Sequence, residues 1–363
     1  MQLKSLSSAL VLMPLLAYLT LTPAGAAPKA PEFKIKGSQV NVTTGVTAEI
    51  ESQLKLAGGI TKVVVKDIAD ADLEKIVAIF PNVDEFTIEE SKQITSLKPL
   101  AALGKLTKLS VVTPNVADVT PLAGLTGLTK LALNSKMQDL KWMSQLTRLN
   151  QITLNSGDLV SLEGLPELTN LKNLDIYNAH PQDLGILAKV VPNLTNLKLT
   201  GCVIDDLTPL TGLGKLNYLS LYGVTVTDFT PLSKMPALKT LNYYATKGSN
   251  YDTLGTLTQV TKFEGGLTKL ADIAFLKNLP NLKSMVLFAE YVRDYGPLAD
   301  TKLEYLKIWS MHEAIDLVPV GKIGTLKELV FWSPENCTGS KELTGLKSLQ
   351  KIIQGILLWQ IVL

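Results

Sequence analysis

The sequence repeats itself. A spacing L-x-x-L-x-L returns roughly every 22 residues, starting at Ile60 and continuing through Val83, Leu106, Leu128, Leu149, Leu171, Leu194, Leu216, Leu238, Val260, Leu282, Leu303 and Leu326 to Leu349. A unit this short cannot bury its apolar face alone. Stacked neighbours can, so the expected product is a solenoid rather than a globular enzyme core. The 363 residues would by length alone suggest two or more domains, but a repeat array is exempt from that count.

Within each unit the pattern changes period. The L-x-L core alternates as a half-buried strand does. From Leu97 onward the return path spaces its leucines by three, as in Leu122, Leu125, Leu128 and in Leu210, Leu213, Leu216. That spacing suits 3₁₀ turns better than α-helix. Proline often precedes the first of these leucines (Pro99, Pro121, Pro209, Pro231, Pro297) and starts a turn where its missing N–H is no loss. Three residues before such a proline stand Asp118, Asp206, Asp228, Asp294 and Asp316. They are placed to accept bonds from the free amides of the turn, a structural role rather than a catalytic one. Each unit therefore reads as a strand, a corner and a 3₁₀ return. The chain as a whole reads as an α/β repeat solenoid.

The flanks differ from the ladder. Residues 1–26 have the layout of an export signal: Lys4, an apolar stretch from Ala9 to Leu21, then Ala24-Gly25-Ala26 before a cut at Ala27. The apolar run is shorter than the ~20 residues a membrane-spanning helix needs. Residues 27–59 read as an N-terminal cap. Phe33–Lys36 and Val40–Val42 alternate like strands, and Thr47–Ala57 sets Ile50 and Leu54 on one helical face. In the first unit of the 60–354 repeat domain, Asp70 is expected to cap a helix carrying Leu73, Ile76, Val77 and Phe80 on one side. Residues 355–363 are an apolar tail without the polar cap a solenoid needs. The tail either covers the open end or marks a chain that continues further.

Units such as Leu194–Leu213 (LTNLKLTGCVIDDLTPLTGL) and Leu216–Leu232 (LNYLSLYGVTVTDFTPL) resemble the bacterial leucine-rich repeats of the internalin type. That family's unit is L-x-x-L-x-L-x-x-N-x-I-x-D-[IL]-x-P-L-x-x-L. The resemblance implies a right-handed superhelix with a concave parallel β-sheet and mostly 3₁₀ convex returns. It also implies an exported protein, secreted, periplasmic or at the cell surface, that binds a host or envelope protein. The chain departs from the family at the inward corner asparagine, where it carries Pro114, Lys136, Ala179, Cys202, Val224, Thr246, Thr268 and Glu290. Corners without that asparagine are expected to be less regular, because backbone groups there lose a partner. Cys202 in this slot reads as a buried structural thiol.

Chemistry finds no foothold in the sequence. Its two histidines, His180 and His312, lie six units apart. No nucleophile elbow, P-loop or metal-ligand spacing of Cys and His occurs. A ubiquitin-ligase relative would need a separate catalytic domain. The expectation is therefore a protein without enzymatic activity, cofactor or metal. Net charge is +2, which gives no bulk argument for nucleic acid or an anionic membrane. Cys202 and Cys337 fall six strands apart, about 29 Å, beyond the ~7 Å a disulfide spans. They are expected to remain thiols.

The outward positions of the strands carry the functional signal. Numbering each unit from its first leucine, positions 3, 5 and 7 face away from the core. Position 7 reads Val112, Asn134, Asn155, Tyr177, Thr200, Tyr222, Tyr244, Gly266, Phe288, Trp309, Trp332. Tyr218 and Tyr305, at position 3, share that face. In a chain with 6% aromatic residues, this makes a stripe about 34 Å long, with a notch expected at Gly266. The bland alternative is neighbouring rings stacking for stability. The sharper reading is a partner-binding surface made of these eight aromatics, since aromatics dominate interface hot spots. A protein or extended peptide suits a long shallow stripe; a glycan is the runner-up, and an envelope scaffold with no specific ligand the other alternative. Lys62, Lys108 and Lys130 form a basic strip in the earlier units, suited to an acidic partner.

Overall fold

The computed structural model describes residues 32–356, apart from 44, 182–183, 205, 246–250, 268–271, 290, 311–313 and 334–336. The export-signal segment, the tail beyond residue 356, His312, Thr246, Thr268 and Glu290 lie outside the described residues.

Sixteen strands form one sheet in strict sequence order. β1 (Glu32–Lys36) and β2 (Gln39–Thr43) form an antiparallel hairpin, and β2 runs parallel to β3 (Lys62–Lys66). Every later pair is parallel, and each register matches one unit to the next, as in Leu219 opposite Leu197 on one side and Leu241 on the other. This open sheet with short 3₁₀ returns is a leucine-rich repeat solenoid. Strand alternation settles which side is buried. Leu219, Leu221, Leu241, Leu306 and Ile308 are fully enclosed, each contributing roughly 1.5–3 kcal/mol relative to exposure.

The returns follow the three-residue spacing. Leu122 N–H bonds Val119 O, Leu125 bonds Leu122 O, and Leu128 bonds Leu125 O, at 3.1, 3.1 and 3.0 Å. Each of the five aspartates accepts an amide two residues on: Asp118 from Thr120, Asp206 from Thr208, Asp228 from Thr230, Asp294 from Gly296 and Asp316 from Val318, at 2.7–3.0 Å. Asp139 and Asp272 do the same without a following proline, and so escaped the proline-based pattern.

Before the ladder, α1 (Ala48–Lys55) buries Ile50 and Leu54, with Thr47 as its N-cap. α2 (Asp70–Ile79) buries Leu73, Ile76 and Val77. Its cap differs from the one expected. The N-cap of α2 is Ala69, whose N–H is taken by Asp72 at 3.2 Å. Asp70 instead reaches forward to the amides of Thr95 and Ser96, which ties α2 to the next unit. The later returns are 3₁₀, save for the one-turn α3 (Ile186–Val190) and the return between the strands Gln151–Asn155 and Asn173–Tyr177, which is built of turns alone.

The corners also depart from expectation. Ala179, Cys202 and Val224 fill the inward slot, but Pro114 is half-buried and Lys136 exposed. In their units the buried residue is one earlier, Thr113 and Ser135, and Ser156 follows suit. Ser156 Oγ donates to Met137 O at 2.8 Å, so a hydroxyl supplies the bond the asparagine would have made. The Cys202 thiol donates to Ile176 O at 3.5 Å, and burial pushes its pKa up. No disulfide joins Cys202 and Cys337.

Candidate functional site

The outward column at position 7 is brought together by register alone. Tyr222 lies opposite Tyr244, Phe288 opposite Trp309, and Trp309 opposite Trp332. Their rings touch in series: Tyr222–Tyr244 at 5.3 Å, Phe288–Trp309 at 5.5 Å and Trp309–Trp332 at 5.4 Å between centroids.

The notch expected at Gly266 is closed. Tyr244 and Phe288 sit on strands either side of Gly266, yet their rings meet at 5.5 Å and 63°. Strands two apart are separated by about 9.6 Å, so both side chains lean over the glycine to gain an edge-to-face contact. Gly355 has the same relation to Trp332. A Cβ there would fall 2.1 Å from Trp332 Cε3, so the indole lies over a position that only glycine leaves open. The result is an unbroken ridge, Tyr222–Tyr244–Phe288–Trp309–Trp332.

These rings cover one another and what lies beneath. Tyr222 is 39% exposed and the other four are half-buried. Val286 and Val330, both outward residues at position 5, are buried. Lys307, between them in the column, places its ammonium 5.0 Å from the Trp309 ring centre. The indole N–H groups of Trp309 and Trp332 are buried with no hydrogen-bond acceptor among the described residues.

The three remaining tyrosines flank the ridge without joining its stack. Tyr177 is half-buried and separated from Tyr222 by Thr200. Tyr305 is half-buried opposite Glu328, and burial raises its hydroxyl pKa. Tyr218 accepts a hydrogen bond from Asn242 Nδ2 at 3.0 Å. That bond belongs to a polar floor the aromatic pattern did not reveal. Asn242 Nδ2 also approaches Glu264 Oε2 at 3.5 Å, and the Tyr244 hydroxyl donates to Glu264 Oε1 at 2.6 Å. Burial, then Glu264, push the Tyr244 pKa well above its ordinary value. Two strands away, Lys198 pairs with Asp175 at 3.3 Å. Burial wins at Asp175, whose pKa is raised despite the lysine. At Lys198 burial opposes the charge, but Asp175 outweighs it and the pKa is raised. Reading position 5 as a column would have found Asp175, Lys198, Asn242 and Glu264.

The expected basic strip is interrupted. Glu85 stands at position 3 between Lys62 and Lys108 and pairs with both, at 3.5 Å for Lys62. The Lys108 hydrogen bond, foremost, holds the Glu85 carboxyl below its usual range. One carboxylate shared by two lysines lowers the charge of the strip from three to two, which weakens the charge argument for an acidic partner there.

Comparison with solved structures finds this architecture in an internalin (InlF) from Listeria monocytogenes. Identity is 25%, covering 83% of this chain and 88% of that one, with a TM-score of 0.58. A leucine-rich repeat protein of Leptospira interrogans matches at 19% identity, 86% and 88% coverage and TM-score 0.53. A chain of the Drosophila Toll–Spatzle complex matches in fold at 13% identity and TM-score 0.58, covering 92% of this chain and 45% of that chain. No protein-family model and no curated protein matches the sequence. Fold and repeat together define a leucine-rich repeat protein. Among such proteins it is similar to the internalins. No helix among the described residues is long and apolar enough to cross a membrane.

Proposed function

We propose that this chain is an exported, non-enzymatic repeat protein that binds a protein partner on its concave face, through the ridge Tyr222, Tyr244, Phe288, Trp309 and Trp332 with Tyr177, Tyr218 and Tyr305 beside it. The internalin-like fold suggests a protein-binding repeat protein. The export reading rests on the layout of residues 1–26.

The observation that carries the reading is the continuity of the ridge, five aromatic rings in successive contact on the outward face of the sheet. Contacts of this kind stabilise by about 0.5–1.5 kcal/mol each beyond the area they bury, so the rings also help the fold. The ridge nevertheless leaves the indole N–H groups of Trp309 and Trp332 without acceptors among the described residues, at a cost of about 1–3 kcal/mol each. Large aromatics collected on one outward face, with donors left unpaired, are what a hot-spot surface requires. The earlier units, with Val112, Asn134 and Asn155 in the same column, show that the fold does without them.

The test is a comparison of the mature protein with a variant carrying Tyr222→Ala, Tyr244→Ala and Trp309→Ala. Binding partners are recovered with each protein as bait, and folding is followed by far-UV circular dichroism. Loss of partner with an unchanged spectrum is the expected result. A variant that unfolds, or that retains every partner, overturns the proposal.

A further inference from the structure

The spacing of the ridge selects among the shapes a partner segment can take. Successive ring centroids stand 5.3, 5.5, 5.5 and 5.4 Å apart. The uniformity is not imposed by the strands, since one interval spans two strand steps and the others one. It arises because Gly266 contributes no side chain and the rings on either side close the gap.

Three modes of peptide recognition can be weighed against that spacing. Strand addition needs an open sheet edge, and the ridge crosses strands paired on both sides. An extended segment laid across the ridge would present same-face side chains every ~6.7 Å, out of step with the rings after two residues. A polyproline II segment repeats its face every ~9 Å, skipping nearly every second ring. An α-helix has a pitch of ~5.4 Å and offers one side chain per ring interval along its whole length. Lys307 fixes the charge. Its ammonium is held against Trp309 and pairs with no carboxylate among the described residues, so it is available to an acidic group beside the apolar stripe.

We infer that the ridge receives an amphipathic α-helix of the partner, about four turns long, with apolar residues at i, i+4, i+7 and i+11 and an acidic residue facing Lys307. This rests on the protein-binding reading above and specifies the form of the partner.

The experiment is selection against the mature protein from two display libraries of equal length and diversity, one on a rigid α-helical scaffold and one of unstructured peptides. Binders are then re-measured against Trp309→Ala and Lys307→Glu variants. The inference expects binders from the helical library, with an apolar residue once per turn. It expects them to weaken about 10-fold or more on Trp309→Ala. It also expects Lys307→Glu to favour binders whose acidic flank has been changed to lysine. Binders that need Trp309 but are extended, or lack the one-per-turn period, overturn the helix while leaving the protein-binding reading intact. Binders indifferent to Trp309, or no binders from either library, overturn both.

Discussion

The rings of Tyr244 and Phe288 belong to strands that are not neighbours, yet they meet at 5.5 Å above Gly266. Continuity of the aromatic ridge therefore depends on the residue with no side chain. Gly266→Leu places a wedge between the two rings. Edge-to-face packing of this kind stabilises by about 0.5–1.5 kcal/mol, so the protein stays folded without it. The near-UV circular dichroism of the ridge should change, and partner binding should fall. An unchanged near-UV spectrum would show that the rings do not depend on the glycine.

The Tyr244 hydroxyl is bonded to Glu264 and its pKa is raised, first by burial and then by that carboxylate. A group whose folded pKa lies above its unfolded value stabilises fully below the unfolded value, here 10.0. That stabilisation is lost as pH rises toward the folded value. Melting temperature measured from pH 8 upward should fall more steeply above about pH 10 in the native protein than in Tyr244→Phe. Parallel curves would show that Tyr244 ionises as freely in the folded chain as in the unfolded one.

The turn aspartates set the opposite limit. Asp118, Asp206 and Asp228 have pKa values lowered, foremost by bonds from the hydroxyls of Thr120, Thr208 and Thr230. Their contribution is present above the ordinary value of 3.8 and disappears as pH falls through the depressed one. Combining Asp118→Asn, Asp206→Asn and Asp228→Asn should lower the melting temperature at neutral pH and flatten its decline below pH 4. A variant that loses stability in acid as steeply as the native chain would place the acid limit elsewhere.

Gly164 tolerates no side chain. Its φ is +90°, and a Cβ would lie 2.3 Å from Lys141 Cα and 2.4 Å from Lys141 N, both backbone atoms of the preceding unit. Gly164→Ala combines strain with a main-chain collision, so a loss of at least ~3 kcal/mol is expected. Chemical denaturation should register it as a lower midpoint. Gly104→Ala, at a site with open space and no positive φ, should leave the midpoint nearly unchanged.

The solenoid was readable because its causes are periodic. The leucine spacing sets strand and return, and alternation decides which face Tyr222 and Trp309 occupy. The five aspartates could be assigned because an amide two residues away is a local partner. What escaped reading depends on reach between units. Tyr244 leaning past Gly266, Asp70 passing over its own helix to Thr95, and Glu85 pairing with lysines on both sides are interactions between residues more than 20 positions apart. A repeat places such side chains within range without saying which way each will lean. The corners escaped for a different reason: Thr113, Ser135 and Ser156 turn inward one residue early, and no spacing of leucines registers that shift.

The strict order of the sixteen strands has a mechanical consequence. Each strand is held only by the two beside it, so tension between the chain's ends is not resisted by the whole core at once. Rupture proceeds from an end by peeling, one unit after another, at modest and repeated loads. Tyr222 and Trp332 stand five strands apart, so the units that carry the two ends of the ridge can part from their neighbours independently, and the ridge can be divided under load while each half keeps its own strands.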